Sequence, residues 1–266
     1  MSRQRYCRST IKTYSEALLT FIRFIRPKKF TDTMEGEADR FITDYILKRE
    51  LSPSYQNQFI SAFKLFYGEV LHRTVIIEQI RRPRQGLKLP NVLNKQEVKL
   101  ILHATKNLKH RAILSLTYAC GLRRGEVLRL KPLDIDSERG LLKIMNGKGN
   151  KDRIVPISGK IIGLLREYYQ QYRPKTWLFE GICPGNQYDE RSFEQVLKNS
   201  LLLAKIKKPV TLHWLRHSYA THLHESGVDI RFIQILLGHK SSKTTEIYTH
   251  VSRKSLQQIR CPFDDL

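Results

Sequence analysis

Residues 81–94, RRPRQGLKLPNVLN, restrict the fold of this chain more than any other stretch: two prolines, a glycine and four cations fall together without hydrophobic periodicity. Neither a long helix nor a strand runs through such a segment. The 266 residues are therefore expected to divide into residues 1–84, a linker at 85–94 and residues 95–266, and not to fold around one core.

The first part reads as a small all-helical domain. Ser9 can cap a helix whose apolar positions Ile11, Tyr14, Leu18, Phe21, Ile22 and Ile25 follow the 3–4 rhythm of a buried face and stop at Pro27. A second helix is predicted between Glu35 and Lys48. Ser52-Pro53 supplies a cap and a first-turn proline ahead of Phe59, Phe63, Phe66 and Val70. In the second part, Asn94 and Glu97 form a capping-box pattern, with helices predicted over 95–104 and 108–120. LLKIM (141–145) and RIVPI (153–157) read as strands around NGKGNKD, and helical patterns return at 159–171, 191–205, 211–225, 229–237 and 243–258. The fold class is thus mainly α with a small β-sheet.

Charge narrows the function. Forty-seven Lys and Arg against 25 Asp and Glu give a net charge of +22, and the excess lies on both sides of the linker. Such a field draws a protein to a polyanion, nucleic acid first. No apolar run approaches the roughly 18 residues of a membrane span, and MSRQRYCRST does not lead into a signal-peptide core, so a cytoplasmic protein without a membrane partner is expected. Cys7, Cys120, Cys183 and Cys261 are scattered without CxxC spacing, which points away from zinc and from a disulfide framework.

Four stretches carry chemistry. GLRRGEVLRL (121–130) sets Arg123 after a helix-ending glycine and before a new helix, where a guanidinium can hold a phosphate. Taken alone, an arginine flanking a helix is most often a surface residue. Lys148 lies between two glycines at a hairpin tip, a place where a lysine is usually solvated but from which it can also swing into a site. HWLRH puts His213, Arg216 and His217 on one helical face. Two histidines four apart can bind zinc, yet the glutamate of a zincin motif is here Trp214, and LLGH brings no further ligand. No GK[ST] phosphate loop occurs. Tyr248, in TTEIYTH, is by default a core or interface tyrosine.

The ordered set GLRRGE, GKGNKDR, HWLRHSYATHL and LLGHKSSKTTEIYTH resembles the tyrosine recombinase (integrase) family over nearly the whole chain. The resemblance implies a SAM-like core-binding domain joined to a catalytic domain as a C-shaped clamp on DNA. It places Arg123, Lys148, His213, Arg216, His239 and Tyr248 at the catalytic positions, with Glu126 and His217 in support. The plain two-domain layout is similar to that of Xer-type recombinases.

The reaction so implied is attack of the Tyr248 hydroxyl on a DNA phosphodiester, giving a 3′-phosphotyrosyl link and a free 5′-hydroxyl. A free tyrosine has a pKa near 10, so Tyr248 needs a base or a strongly cationic setting. His213 is the candidate base. Arg123 and Arg216 suit the non-bridging oxygens, Lys148 the leaving 5′-oxygen, and His239 a further hydrogen bond to the phosphate. Neither metal, cofactor nor ATP is required. The implied partners are double-stranded DNA with an inverted-repeat site and a homotetramer on synapsed DNA, or one shared with a paralogous recombinase. The tail VSRKSLQQIRCPFDDL looks like a segment that packs onto the neighbouring protomer. Two rival readings are a type IB topoisomerase and a non-catalytic DNA-binding regulator on the same scaffold.

Overall fold

In the computed structural model, which describes residues 6, 8–27, 35–72, 80–83, 90–145, 152–239, 243–246 and 248, the first predicted helix is α1 (Arg8–Ile25), with Ala17, Phe21 and Ile25 buried. Helix α2 (Glu35–Arg40) continues as a π-helical turn, Phe41–Leu47, whose wider winding brings Phe41, Ile42 and Ile46 to the buried side. Ser52 caps α3 (Pro53–Glu69), its hydroxyl accepting the Tyr55 amide at 3.2 Å. These helices meet over Phe21, Phe41, Phe59, Phe63 and Tyr67, all fully buried. Phe21 stands edge-on to Phe41 at 5.3 Å and Phe63 stacks on Tyr67 at 4.1 Å. Burying such a ring contributes about 1.5–3 kcal/mol, so aromatic packing dominates the stability of this small core. It belongs to the first of two compact units, residues 1–87 and 88–266.

The second unit begins with α4 (Lys95–Ala104), which has the expected reciprocal cap: Asn94 accepts the Glu97 amide at 2.8 Å, and Glu97 accepts the Asn94 amide at 2.9 Å. Helix α5 (Leu108–Ala119) is buried through Ala112–Thr117 and runs through the middle of the unit. After the short α6 (Arg124–Leu128) and a 3-10 turn, Pro132–Asp134, comes an antiparallel sheet. Its order is β1 (Ile135–Asp136), β2 (Leu141–Ile144), β3 (Arg153–Pro156), with Leu142 opposite Val155. Leu142, Ile144 and Val155 face the core while Lys143 and Ile154 face outward, the period-2 alternation of a half-buried sheet. The two longer strands were expected; β1 was not.

Helices α7 (Gly159–Tyr172), α8 (Glu190–Leu203), α9 (Leu212–Glu225) and α10 (Ile230–Leu237) complete the packing, followed by the single turn α11 (Lys243–Glu246). The rest of the helix predicted over 243–258, and the tail after it, lie outside the described residues apart from Tyr248. The chain enters this unit along α9. The buried Leu93 donates its amide to Ser218 Oγ at 2.9 Å, and that hydroxyl donates to the Trp214 carbonyl at 2.7 Å. Among the described residues, no helix is long and apolar enough to cross a membrane.

Candidate active site

Two helix ends form the floor of the site. Helix α5 stops because Gly121 adopts φ +57°, and a Cβ there would collide with the Tyr219 ring. Glycine alone meets both demands. The turn aims the Gly121 carbonyl at Arg216, which is 1% exposed on α9 and donates to it through Nη1 at 2.6 Å. The other Arg216 nitrogen, Nη2, donates at 2.5 Å to the carbonyl of Leu237, where Gly238, at φ +62°, ends α10. One guanidinium thus ties together the C-termini of two helices, where a cation is favoured.

Glu126 sits at the centre. Its carboxylate accepts the Arg123 amide (2.8 Å) and Arg123 Nη1 (2.7 Å), and both its oxygens accept the fork of Arg153, at 2.8 and 2.7 Å. Arg216 Nη1 is 3.8 Å away. Burial alone would raise the pKa of this carboxyl, but the bonds and charges of Arg153 and Arg123 hold it at about 2. Three guanidiniums around one carboxylate leave the cluster cationic. Burial and the nearby Arg123 charge lower Arg216 to about 9, still protonated at neutral pH.

Tyr248, 1% exposed, closes the other side, packed with Tyr219, Ala220, Ile233 and Leu237. Its hydroxyl lies 3.0 Å from His217 Nδ1. His239 stacks on its ring at 6.4 Å and pairs with Thr245 Oγ1 at 2.9 Å through Nδ1. Burial, then the charges of His213 and Arg216, lower His217 to about 4; burial, then Arg216 and Arg123, lower His239 to about 3. Both rings are neutral at pH 7. With its hydrogen on Nε2, His217 accepts a bond from the phenol at Nδ1. Burial raises the Tyr248 pKa, against the pull of Arg216 and Arg123.

The structure therefore brings together Arg123, Glu126, Arg216, His217, His239 and Tyr248. His213, assigned the base's role from sequence, is exposed and stands edge-on to His217 at 4.5 Å, while the imidazole that meets the phenol is that of His217. Lys148 lies outside the described residues. The sequence reading passed over Arg153, although it shares the inward face of β3 with Val155, and a cation on that face is a signal that alternation can supply.

The profile of the phage integrase family matches residues 91–255, and that of its N-terminal SAM-like domain residues 1–77. Tyrosine recombinase XerD of Listeria innocua is 33% identical over 273 aligned residues, covering 94% of this chain and 91% of XerD. The chain belongs to the tyrosine recombinase family. Members of this family cut and rejoin DNA strands through a tyrosine. Among solved structures, the XerA recombinase is 31% identical, with a TM-score of 0.60 over 97% of this chain and 93% of its own. The XerH site-specific recombinase, solved on a palindromic difH substrate after cleavage, shares the fold at 24% identity, with a TM-score of 0.79 over 96% of this chain and 80% of its own.

Proposed function

We propose that this recombinase cleaves DNA with Tyr248 as nucleophile. The phenol gives its proton to the base, His213, as its oxygen attacks the scissile phosphorus; the P–O5′ bond breaks, and the products are a 3′-phosphotyrosine and a 5′-hydroxyl. Arg123 and Arg216 hold the non-bridging oxygens, on which negative charge grows, and Lys148 gives the departing 5′-oxygen its proton. His213 and His239 complete the contacts to the phosphate, with Glu126 and His217 in support. Attack of a second strand's 5′-hydroxyl on the phosphotyrosine reverses the chemistry without ATP, and within a tetramer on two synapsed inverted-repeat sites that exchange is recombination.

The observation that carries this reading is the seat of the phenol: its hydroxyl meets a neutral imidazole, on the helix that also carries Arg216, beside a buried cluster with more guanidinium than carboxylate. A DNA-binding regulator needs surface cations but no such arrangement around one hydroxyl. Because Tyr248 is buried, attack requires the phenol to leave its seat. Tyr248→Phe removes only the attacking oxygen. It should bind a nicked suicide duplex like the parent and give no covalent band on a denaturing gel; a surviving band would place the nucleophile elsewhere.

A further inference from the structure

Of the three arginines gathered at Glu126, the reaction proposed above employs two. Arg153 is given no part in that reaction: its side chain is 7% exposed, and each nitrogen of its guanidinium, Nε included, is engaged with the protein. Nε donates to the Leu236 carbonyl at 2.8 Å, and Nη1 and Nη2 each take one oxygen of Glu126. Such a fork-to-carboxylate pair is the strongest and most directional contact a carboxylate makes with a side chain.

We propose that Arg153 is a positioning residue for strand cleavage: by occupying both oxygens of Glu126 it keeps the guanidiniums of Arg123 and Arg216 available to the scissile phosphate. The inference rests on the roles given above to Tyr248, Arg123 and Arg216. Its ground is the geometry around Glu126 Oε2. That oxygen holds the Arg123 amide and Arg153 Nη2, and Arg216 Nη1 waits 3.8 Å away, beyond hydrogen-bond range. With Arg153 gone, a shift of roughly 1 Å brings Arg216 into contact with the uncovered oxygen. The move carries Arg216 off the Gly121 carbonyl and neutralises it against Glu126. Arg123 is subject to the same capture, because Nη1 is already bound to Glu126 while Nη2 has only a 3.5 Å contact with the Gly238 carbonyl. Arg153 thus makes Glu126 a fixed support and prevents it from competing with the phosphate.

The plainer alternative makes Arg153 a pin between β3 and the end of α10, where its Cδ would stand 3.1 Å from a Cβ added at Gly238. A pin affects folding and leaves the charge of the substrate irrelevant. The two are separated with the full-length chain and a nicked duplex, selected from a randomised pool by covalent capture on the parent. The scissile linkage is either an ordinary phosphodiester or a methylphosphonate, in which a methyl group replaces one non-bridging oxygen and its charge. Arg153→Gln should bind the duplex within about threefold of the parent but cleave the phosphodiester on the order of 100-fold more slowly, the scale of one lost oxyanion donor. On the methylphosphonate, which leaves one guanidinium without an oxygen to hold, the deficit should shrink to below about tenfold. Arg153→Lys retains the charge without the fork, so it should fall between parent and Gln on the phosphodiester, with the same narrowing. It decides the matter if the Gln variant fails to fold. Equal deficits on the two linkages, or cleavage at the parent's rate, would overturn the proposal. A parent that captures no duplex would remove the reading on which it rests, and the proposal with it.

Discussion

Glu126→Gln tests the central carboxylate. The side chains are nearly the same size, so the change removes one charge and leaves three guanidiniums facing one another. The folded-state pKa of Glu126 falls from 4.5 to about 2, which at 1.36 kcal/mol per pKa unit corresponds to roughly 3 kcal/mol of stability at neutral pH. Removing one partner of a buried ion pair costs about 3–5 kcal/mol, so two independent routes agree. The sign follows from the direction of the shift. A carboxyl whose folded pKa is depressed contributes fully above its unfolded pKa, and the contribution is lost as pH falls from about 4.5 toward 2. Urea unfolding is the assay, because an ionic denaturant would screen the effect. Both tryptophans, Trp177 and Trp214, lie in the second unit, so fluorescence reports the unit that holds Glu126. The variant should be less stable by about 3 kcal/mol at pH 7, and the gap should narrow as acid approaches pH 3. A variant within about 0.5 kcal/mol of the parent at pH 7, or a gap that ignores pH, would refute the view that Glu126 holds these charges together.

The depressed pKa of His217 makes a second pH prediction: burial opposes its protonation, so its stabilising effect is present above about pH 6.5 and disappears as pH falls through about 4. His217→Gln should flatten that limb of the urea midpoint against pH, and an unchanged slope would assign the loss to other groups. Lys148→Ala should be slow on ordinary DNA but nearly normal on a substrate whose 5′-bridging oxygen is sulfur, a leaving group that needs no proton. Equal impairment on both would deny Lys148 the acid's role.

Much of this fold was legible because the decisive signals are local. The Asn94–Glu97 box and the Ser52-Pro53 start each depend on a few adjacent residues, and each is present as expected. The π turn at Phe41–Leu47 was not, because α and π windings of FITDYIL differ in which carbonyl each amide chooses, and its side chains suit either. Nor was β1, two residues long, which exists only because β2 pairs with it. The site shows the same division. Spacing put His213, Arg216 and His217 on one face of α9, but which imidazole meets the phenol depends on where Tyr248, from a distant segment, comes to rest. Arg153 escaped for the same reason: its partners come from α6 and α10, far from it in sequence.

The stitch between Leu93 and Ser218 has a mechanical consequence. The segment that leads into the second unit is fastened by its backbone to the middle of α9 at Ser218, the residue after His217 and two after Arg216. A pull along that segment is therefore borne by the helix that carries both side chains, together with the core around α5 in which Leu93 is buried. In this chain the backbone at Leu93 and the helix that bears Arg216 are joined through the Ser218 hydroxyl.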